Sequence, residues 1–210
     1  MTQWITVLGG AHSGKTDFVT EVCQPLEDVG WWGTATDLPQ DTSWHERLDA
    51  LKAERKPSWQ TFDGPWTWTV HARETQSRTP FSLFVMDSLN LWLAAQIHRG
   101  TSLYSFAQLK IHLEVEFAQL CTDLATLPCR VLIVSAEAGS GVVPSGEAGR
   151  LFRDCLTRWN RQIVERSEHC LSLQAGRAFL WPGGKTHLPP EGVVVRCVAS
   201  QAVSLLLGGR

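Results

Sequence analysis

The sequence has no long apolar run, no large excess of one charge and no closely spaced pair of cysteines. No stretch approaches the roughly 20 apolar residues that a membrane-spanning helix needs, so we expect no membrane span. Nineteen Lys and Arg residues against 21 Asp and Glu residues give a net charge of -2. This balance leaves no strong field to attract nucleic acid or an anionic membrane, and we expect neither as a partner.

The six cysteines include no CxxC pair, and the first ten residues lack the basic segment of a signal peptide. Both features predict a cytoplasmic protein with reduced, mostly buried thiols and without a cysteine-based metal site. The ten tryptophans indicate packing in a core or an interface, and their spacing points to no particular ligand.

Apolar segments alternate with helical patterns along the chain, which predicts one doubly wound, mostly parallel α/β sheet flanked by helices. The segment RVLIVS at residues 130–135 is continuously apolar, as is typical of a strand buried on both faces. We predict strands near residues 2–8, 31–35, 59–62, 81–86, 130–135, 169–173 and 177–180. Helices are predicted from residue 14 onward and over residues 44–54, 65–72, 89–97, 104–127 and 151–163.

Residues 9–16, GGAHSGKT, match the phosphate-loop pattern G-x-x-x-x-G-K-[ST] without a mismatch. They follow a predicted strand and open a predicted helix, so backbone N–H groups and the helix dipole can bind phosphate oxygens. Lys15 is expected to reach the β- and γ-phosphates, and Thr16 to bind Mg²⁺. The predicted phosphate-binding set is Gly9, Gly10, Ala11, His12, Ser13, Gly14, Lys15 and Thr16. The motif predicts a nucleotide-binding domain of the P-loop NTPase type.

Two acidic residues follow buried strands. Asp87 ends FSLFVMD and completes the Mg²⁺ site with Thr16, caps the next helix, or does both. Glu137 follows RVLIVSA, where doubly wound sheets place their ligand crevice. It either orients a substrate hydroxyl or only fixes the glycine loop after it. Further on, Arg150 and Arg153 are either solvated or salt-bridged, or they clamp the phosphate of a product.

The phosphate loop alone is compatible with a kinase, a GTPase, an ATPase or a sulfotransferase, and no NKxD-type guanine-reading motif is present. Further motifs narrow the choice: Thr34-Ala35-Thr36, Arg47-Leu48 with Arg55 and Trp59, Met86-Asp87-Ser88-Leu89, AEAGSGVVP at 136–144, GRLFRD at 149–154 and WNR at 159–161. Their order over residues 3–181 resembles the bifunctional adenosylcobinamide kinase/adenosylcobinamide-phosphate guanylyltransferase family of cobalamin biosynthesis.

This resemblance implies a P-loop kinase-like domain over residues 1–181, followed by a linker and tail of unknown role over 182–210, and a homotrimer. It also implies a corrinoid substrate, whose aminopropanol hydroxyl is phosphorylated with ATP or GTP and Mg²⁺. The family then transfers GMP from GTP to that phosphate through a guanylylated histidine. Carried over by position, the further nucleotide-binding residues are Ala35, Thr36, Asp37, Lys52, Ala53, Glu54, Arg55, Asp63 and Asp87.

One departure from the family pattern concerns the histidine nucleophile. Its position is occupied by Leu51, which cannot form a phosphoramidate. His45 lies six residues earlier, about 600° around a helix and thus on another face, so we expect it to be a surface residue. We therefore predict a kinase with Lys15 and Glu137 as catalytic residues and with guanylyl transfer in doubt. The alternatives are the full bifunctional activity through another nucleophile, or a non-catalytic protein that binds nucleotide or a corrinoid.

Overall fold

The computed structural model describes residues 3–35, 42–65, 80–182 and 195–197. Its strands are β1 Trp4–Gly9, β2 Val29–Gly33, β3 Gln60–Asp63, β4 Leu83–Asp87, β5 Arg130–Ala136, β6 Ser167–Gln174, β7 Arg177–Pro182 and β8 Val195–Cys197. Its helices are α1 Lys15–Cys23, α2 Thr42–Ala53, α3 Leu89–Gly100, α4 Phe106–Ala125 and α5 Glu147–Arg166. No helix of these residues is long and apolar enough to cross a bilayer.

The strands form one sheet in the order β3-β2-β4-β5-β1-β6-β7-β8. The first six of these are parallel, and the β6–β7 and β7–β8 pairs are antiparallel. This confirms the predicted P-loop NTPase-like α/β fold. Since the connections from β1 and from β5 leave in opposite directions along the sheet, a crevice forms at the carboxyl ends of these central strands.

Alternating side chains of the central strands enter two separate cores. On β5, Val131 and Ile133 face the core shared with α3, α4 and α5, whereas Leu132 and Val134 face the core shared with α1. The five residues 131–135 are all buried, as the continuous apolar run predicts. A sheet covered on both faces holds its strand ends in fixed positions, which is the condition for a rigid site there.

Tryptophans supply much of this packing. Trp159 of α5 stacks on Phe117 of α4 with ring centroids 4.3 Å apart and also lies against Trp92 of α3. Its indole N–H donates to Glu114 Oε1 at 3.3 Å. Six of the tryptophans, Trp4, Trp31, Trp32, Trp59, Trp92 and Trp159, are buried. For these residues the prediction of a packing role is confirmed.

Several element boundaries differ from the predictions. The strand predicted over residues 31–35 is β2, Val29–Gly33. It begins earlier because Val29 already pairs with Leu83 of β4; Gly30 then fits against the rings of Phe81 and Phe84, where an added Cβ would come within 3.0 Å. The sequence predicts no element in the tail, yet β8 extends the sheet beyond β7. The helix predicted over residues 65–72 falls almost entirely outside the described residues.

Candidate active site at the carboxyl edge of the sheet

The loop between β1 and α1 has a compact backbone that depends on two glycines. Gly14 has a φ of 84° and is the N-cap of α1, a conformation that favours glycine. Gly9 is enclosed, because an added Cβ would lie 2.5 Å from Ser13 Oγ and 2.7 Å from the Leu173 carbonyl oxygen. The loop therefore leads directly into the N-terminus of α1, the arrangement that binds phosphate groups.

The ammonium group of Lys15 lies against this loop. Its Nζ donates to the carbonyl oxygens of Gly9 at 3.0 Å and Gly10 at 2.7 Å. Partial burial lowers the pKa of Lys15 below its ordinary 10.5, and the nearby Asp87 carboxylate partly offsets that effect. The Lys15 ammonium is therefore held between the loop and Asp87, next to the place where phosphate bound by the loop would lie.

Asp87 ends β4 beside the start of α1. The Thr16 hydroxyl donates to Asp87 Oδ1 at 3.5 Å. Hydroxyl and carboxylate oxygens are hard ligands of the kind Mg²⁺ takes from proteins, together with water and substrate phosphates. These two side chains therefore fit the metal of a nucleotide complex. The N-cap of α3 is Ser88, so the alternative interpretation of Asp87 as the helix cap is wrong.

The cations around Asp87 only partly offset the effect of its burial. Burial raises the pKa of this carboxyl above its ordinary 3.8. The opposing influences are, in order, the Arg55 guanidinium, the hydrogen bond from Thr16, and the charges of Lys15 and Arg47. Desolvation therefore outweighs the cations around Asp87, so the folded protein favours the neutral form of this carboxyl.

These groups line one cleft of about 710 Å³ at the carboxyl edge of the sheet. Of the predicted site residues, the cleft brings together Ala11, His12, Lys15, Thr16, Ala35, Lys52, Arg55, Asp63, Asp87 and Glu137. Ala53 and Glu54 are exposed and are not part of its wall. Thr36 and Asp37 lie outside the described residues. Ten of the 18 predicted residues thus line one cleft, whereas Gly9, Gly10, Ser13 and Gly14 lie in the phosphate loop without being part of the cleft wall.

Helix α2 forms one wall of the cleft, and none of its described residues is buried. Both His45 and Leu51 line the cleft, and both are half-buried. His45 is therefore partly exposed, as expected of a surface residue of α2, but it lines the same cleft as Leu51 although it lies on another face of the helix. The rotation argument assumes that one helix face borders the site, but residues around most of α2 border this cleft.

Asp63, at the end of β3, is held by two cations. Its carboxylate pairs with Arg55 Nη1 at 3.1 Å and with Lys52 Nζ at 3.5 Å. The Arg55 guanidinium also lies 5.3 Å from the centre of the Trp31 ring, which stacks on Trp59. The Arg55 side chain is only 9% exposed, so ion pair and ring contact together fix this cation at the cleft.

Gly33 permits the Arg55–Asp63 pair and was not identified from the sequence. An added Cβ would lie 2.8 Å from Asp63 Oδ1 and 3.0 Å from Arg55 Nη2. A glycine in the middle of a predicted strand, next to two tryptophans in sequence, is a pattern that indicates such a close approach. Asn90, Trp44 and Ser88 also line the cleft without having been predicted.

We expect Gly33→Ala to separate Arg55 from Asp63 and to destabilise the fold by about 1 kcal/mol, the low end of the usual cost of overpacking, because the atoms that the new Cβ meets are the ends of two side chains that can shift. Urea denaturation measures the free energy of unfolding. Gly141→Ala is the matched control, because an added Cβ there meets nothing within 4 Å. Equal stability of the two variants would contradict the close packing at Gly33.

Glu137 is placed by the same edge of the sheet. Its backbone N–H donates to the Gly9 carbonyl oxygen at 3.0 Å, which ties the end of β5 to the phosphate loop. Asn160 of α5 is hydrogen-bonded to this strand end. It accepts from the Ser135 hydroxyl at 2.7 Å and donates to the Ala136 carbonyl oxygen at 2.9 Å. The Glu137 side chain is exposed at the cleft wall, accessible to a substrate.

Comparison with known proteins identifies the family of this chain. Residues 5–180 match the family described as "Cobinamide kinase / cobinamide phosphate guanyltransferase". The chain is 30% identical over 170 residues to the "Bifunctional adenosylcobalamin biosynthesis protein CobP" of Pseudomonas aeruginosa, covering 81% of this chain and 92% of that protein. It is 23% identical over 178 residues to the "Bifunctional adenosylcobalamin biosynthesis protein CobU" of Salmonella typhimurium, covering 82% and 96%. The chain therefore belongs to the cobinamide kinase/cobinamide phosphate guanyltransferase family.

Proposed function

We propose that this protein transfers the γ-phosphoryl group of ATP or GTP to the aminopropanol hydroxyl of adenosylcobinamide and has lost guanylyl transfer. The observation that carries the proposal is the composition of one cleft. Lys15, Thr16 and Asp87 lie together at the phosphate loop, while Leu51 occupies the wall of the same cleft. The side chains expected to bind phosphate and Mg²⁺ for phosphoryl transfer are present. A leucine occupies the position where the family resemblance places the nucleophile.

In this reaction the hydroxyl oxygen of the corrinoid bonds to the γ-phosphorus, the bond to the bridging oxygen breaks, and the nucleoside diphosphate leaves. The loop amides and Lys15 neutralise charge on the transferring group and hold it in line. Glu137 orients the hydroxyl and takes up its proton. Thr16 and Asp87 would hold Mg²⁺, which supplies charge neutralisation of the phosphates.

Leucine at position 51 makes the known covalent route to guanylyl transfer chemically impossible at that residue, because an alkyl side chain cannot bond to phosphorus. The rest of the cleft is still suited to a nucleoside triphosphate. Its described lining carries four cations, Lys15, Arg47, Lys52 and Arg55. Loss of the second step therefore does not require loss of nucleotide binding.

A second candidate is the full bifunctional activity through another nucleophile. The observation in its favour is that His45 and His12 both line the cleft. An imidazole there could attack the α-phosphorus of GTP, release pyrophosphate and pass GMP to the corrinoid phosphate. The cytoplasmic location and the homotrimer remain predictions under either candidate.

The test is to incubate the purified protein with adenosylcobinamide and either ATP or GTP, and to follow the corrinoid products by mass spectrometry. We expect the phosphorylated corrinoid alone. Guanylylated product would support the bifunctional alternative, and its loss in His45→Ala or His12→Ala would identify the nucleophile. Nucleotide binding without either product would favour a non-catalytic protein.

A further inference from the structure

Arg47 of helix α2 is an exposed cation that lines the cleft. The other Lys and Arg side chains of the described cleft wall are already held by protein groups. Lys15 donates to two carbonyl oxygens of the phosphate loop, and Lys52 and Arg55 both pair with Asp63. Within the described ranges of the chain, Arg47 forms no hydrogen bond and no ion pair. Its guanidinium is therefore available to a ligand in the cleft.

The charge of Arg47 acts on the two groups that border the phosphate loop. Burial is the main cause of the lowered pKa of Lys15, and the like charge of Arg47 adds to that decrease. Burial raises the pKa of Asp87, and Arg47 is among the cations that oppose this increase. Both influences require the Arg47 guanidinium to lie near Lys15 and Asp87, because such interactions weaken with distance. Helix α2 thus brings a second cation toward the place where phosphate would lie.

Two cations that share a cleft repel each other, and an anion bound between them removes that cost. A phosphate loop surrounds the α- and β-phosphates with backbone N–H groups, while its lysine reaches the β- and γ-phosphates. The γ-phosphate therefore extends furthest from the loop into the cleft. A guanidinium is permanently charged and donates two parallel hydrogen bonds to phosphate oxygens. Arg47 has the chemistry that this terminal phosphate needs from the α2 wall.

We propose that Arg47 is a catalytic residue that contacts the γ-phosphoryl group of the bound nucleotide and neutralises its charge during transfer. The proposal rests on the proposed kinase function. As the acceptor hydroxyl oxygen bonds to the γ-phosphorus and the bond to the bridging oxygen breaks, Arg47 binds the non-bridging oxygens of the transferring group. Arg47 gains and loses no proton in this step, because a guanidinium stays charged in proteins.

The first test is the rate of corrinoid phosphorylation by Arg47→Met at saturating nucleotide and adenosylcobinamide. We expect kcat to fall by about a hundredfold, the lower end of the usual cost of losing one preorganised donor. Arg47→Lys keeps the charge but not the paired donors, so its kcat should lie between those of the wild type and Arg47→Met. The melting temperature should not change, because Arg47 is exposed and α2 has no buried residue.

The matched control is Arg161→Met, which removes an arginine that is 71% exposed on α5 and does not line the cleft. Its kcat is expected to stay within about twofold of the wild type, as is usual for a surface change away from the chemistry. An equal loss of kcat in both variants would contradict a specific role for Arg47.

Calorimetric titration separates this inference from the proposed function, using ADP and AMP-PNP, or GDP and GMP-PNP if the protein prefers guanine nucleotides. We expect Arg47→Met to bind the triphosphate analogue about tenfold more weakly, the usual contribution of a charge-assisted hydrogen bond. The diphosphate lacks the γ-phosphate, so its affinity should stay within about twofold of the wild-type value, as expected for a group that Arg47 does not contact.

A loss of affinity for the triphosphate analogue alone supports the contact, even if the wild type transfers no phosphoryl group to the corrinoid. If the wild type phosphorylates the corrinoid and Arg47→Met matches it in kcat and in both affinities, the role of Arg47 is wrong and the kinase stands. An equal loss of affinity for the triphosphate and the diphosphate would also overturn the contact with the γ-phosphoryl group.

Discussion

Replacing Lys15 with methionine is expected to lower kcat for corrinoid phosphorylation by at least about a hundredfold, the usual cost of removing one preorganised transition-state donor. The ammonium lies on the Gly9 and Gly10 carbonyl oxygens and beside Asp87. It is thus already positioned before the negative charge moves onto the departing oxygen. Methionine keeps the length and the apolar stem but has no donor. Initial rates at saturating ATP and corrinoid measure the effect.

The matched control for this prediction is Lys110→Met, which removes the same charge from an exposed position on α4 that does not line the cleft. Its kcat is expected to stay within about twofold of the wild type, as is usual for surface changes away from the chemistry. A Lys15→Met protein that is folded by circular dichroism and retains more than a tenth of the wild-type rate would contradict a catalytic role for Lys15.

Local patterns suffice for the part of the site that lies within one stretch of chain. Eight consecutive residues specify the phosphate loop, because glycine conformations, the lysine and the start of α1 are all set by neighbours in sequence. Asp87 and Glu137 were also predictable, since each ends a strongly apolar strand and parallel strands share one carboxyl edge. Predicting these two positions requires only that the apolar runs be recognised as parallel strands, because the chain direction then places both acids at the carboxyl edge.

The wall formed by α2 is not predictable in the same way. A helical wheel locates the face that packs on a core, but α2 has no buried residue and so has no such face. His45 and Leu51 both line the cleft although helical geometry puts them on different faces. The position of α2 depends on tertiary contacts that no sequence period encodes, such as the Arg55–Asp63 pair that follows this helix.

The close approach at Gly33 is a second feature that single-sequence patterns do not resolve. Glycine within a strand indicates that something packs closely, but it does not say what. Here the neighbours are Arg55 and Asp63, which are 22 and 30 residues further along the chain. The identity of the contact emerges only when β2 and β3 pair in parallel register, Gly33 opposite Asp63.

Asp87→Asn is expected to lower the rate of phosphoryl transfer by at least about a hundredfold. At the same time it is expected to stabilise the fold at neutral pH. The loss follows because a neutral amide is a poor ligand for the divalent cation of the nucleotide and no longer attracts Lys15. The gain in stability is expected because burial raises the pKa of Asp87 above 3.8. A raised carboxyl pKa means that the folded state favours the neutral form, which asparagine imitates at every pH.

The pH dependence gives this prediction its test. In the wild type, the stability contributed by the neutral Asp87 carboxyl is present below the ordinary pKa of 3.8 and is lost as pH rises through the higher folded-state pKa. The melting temperature of Asp87→Asn should therefore equal that of the wild type in acid and exceed it progressively toward neutral pH. Asp154→Asn removes an acid that is 61% exposed. Its difference in melting temperature from the wild type should therefore not grow as the pH rises. A variant at position 87 that melts below the wild type at neutral pH would show that Arg55, Thr16 and Lys15 outweigh desolvation there, and that the carboxylate is held for stability rather than for a cation.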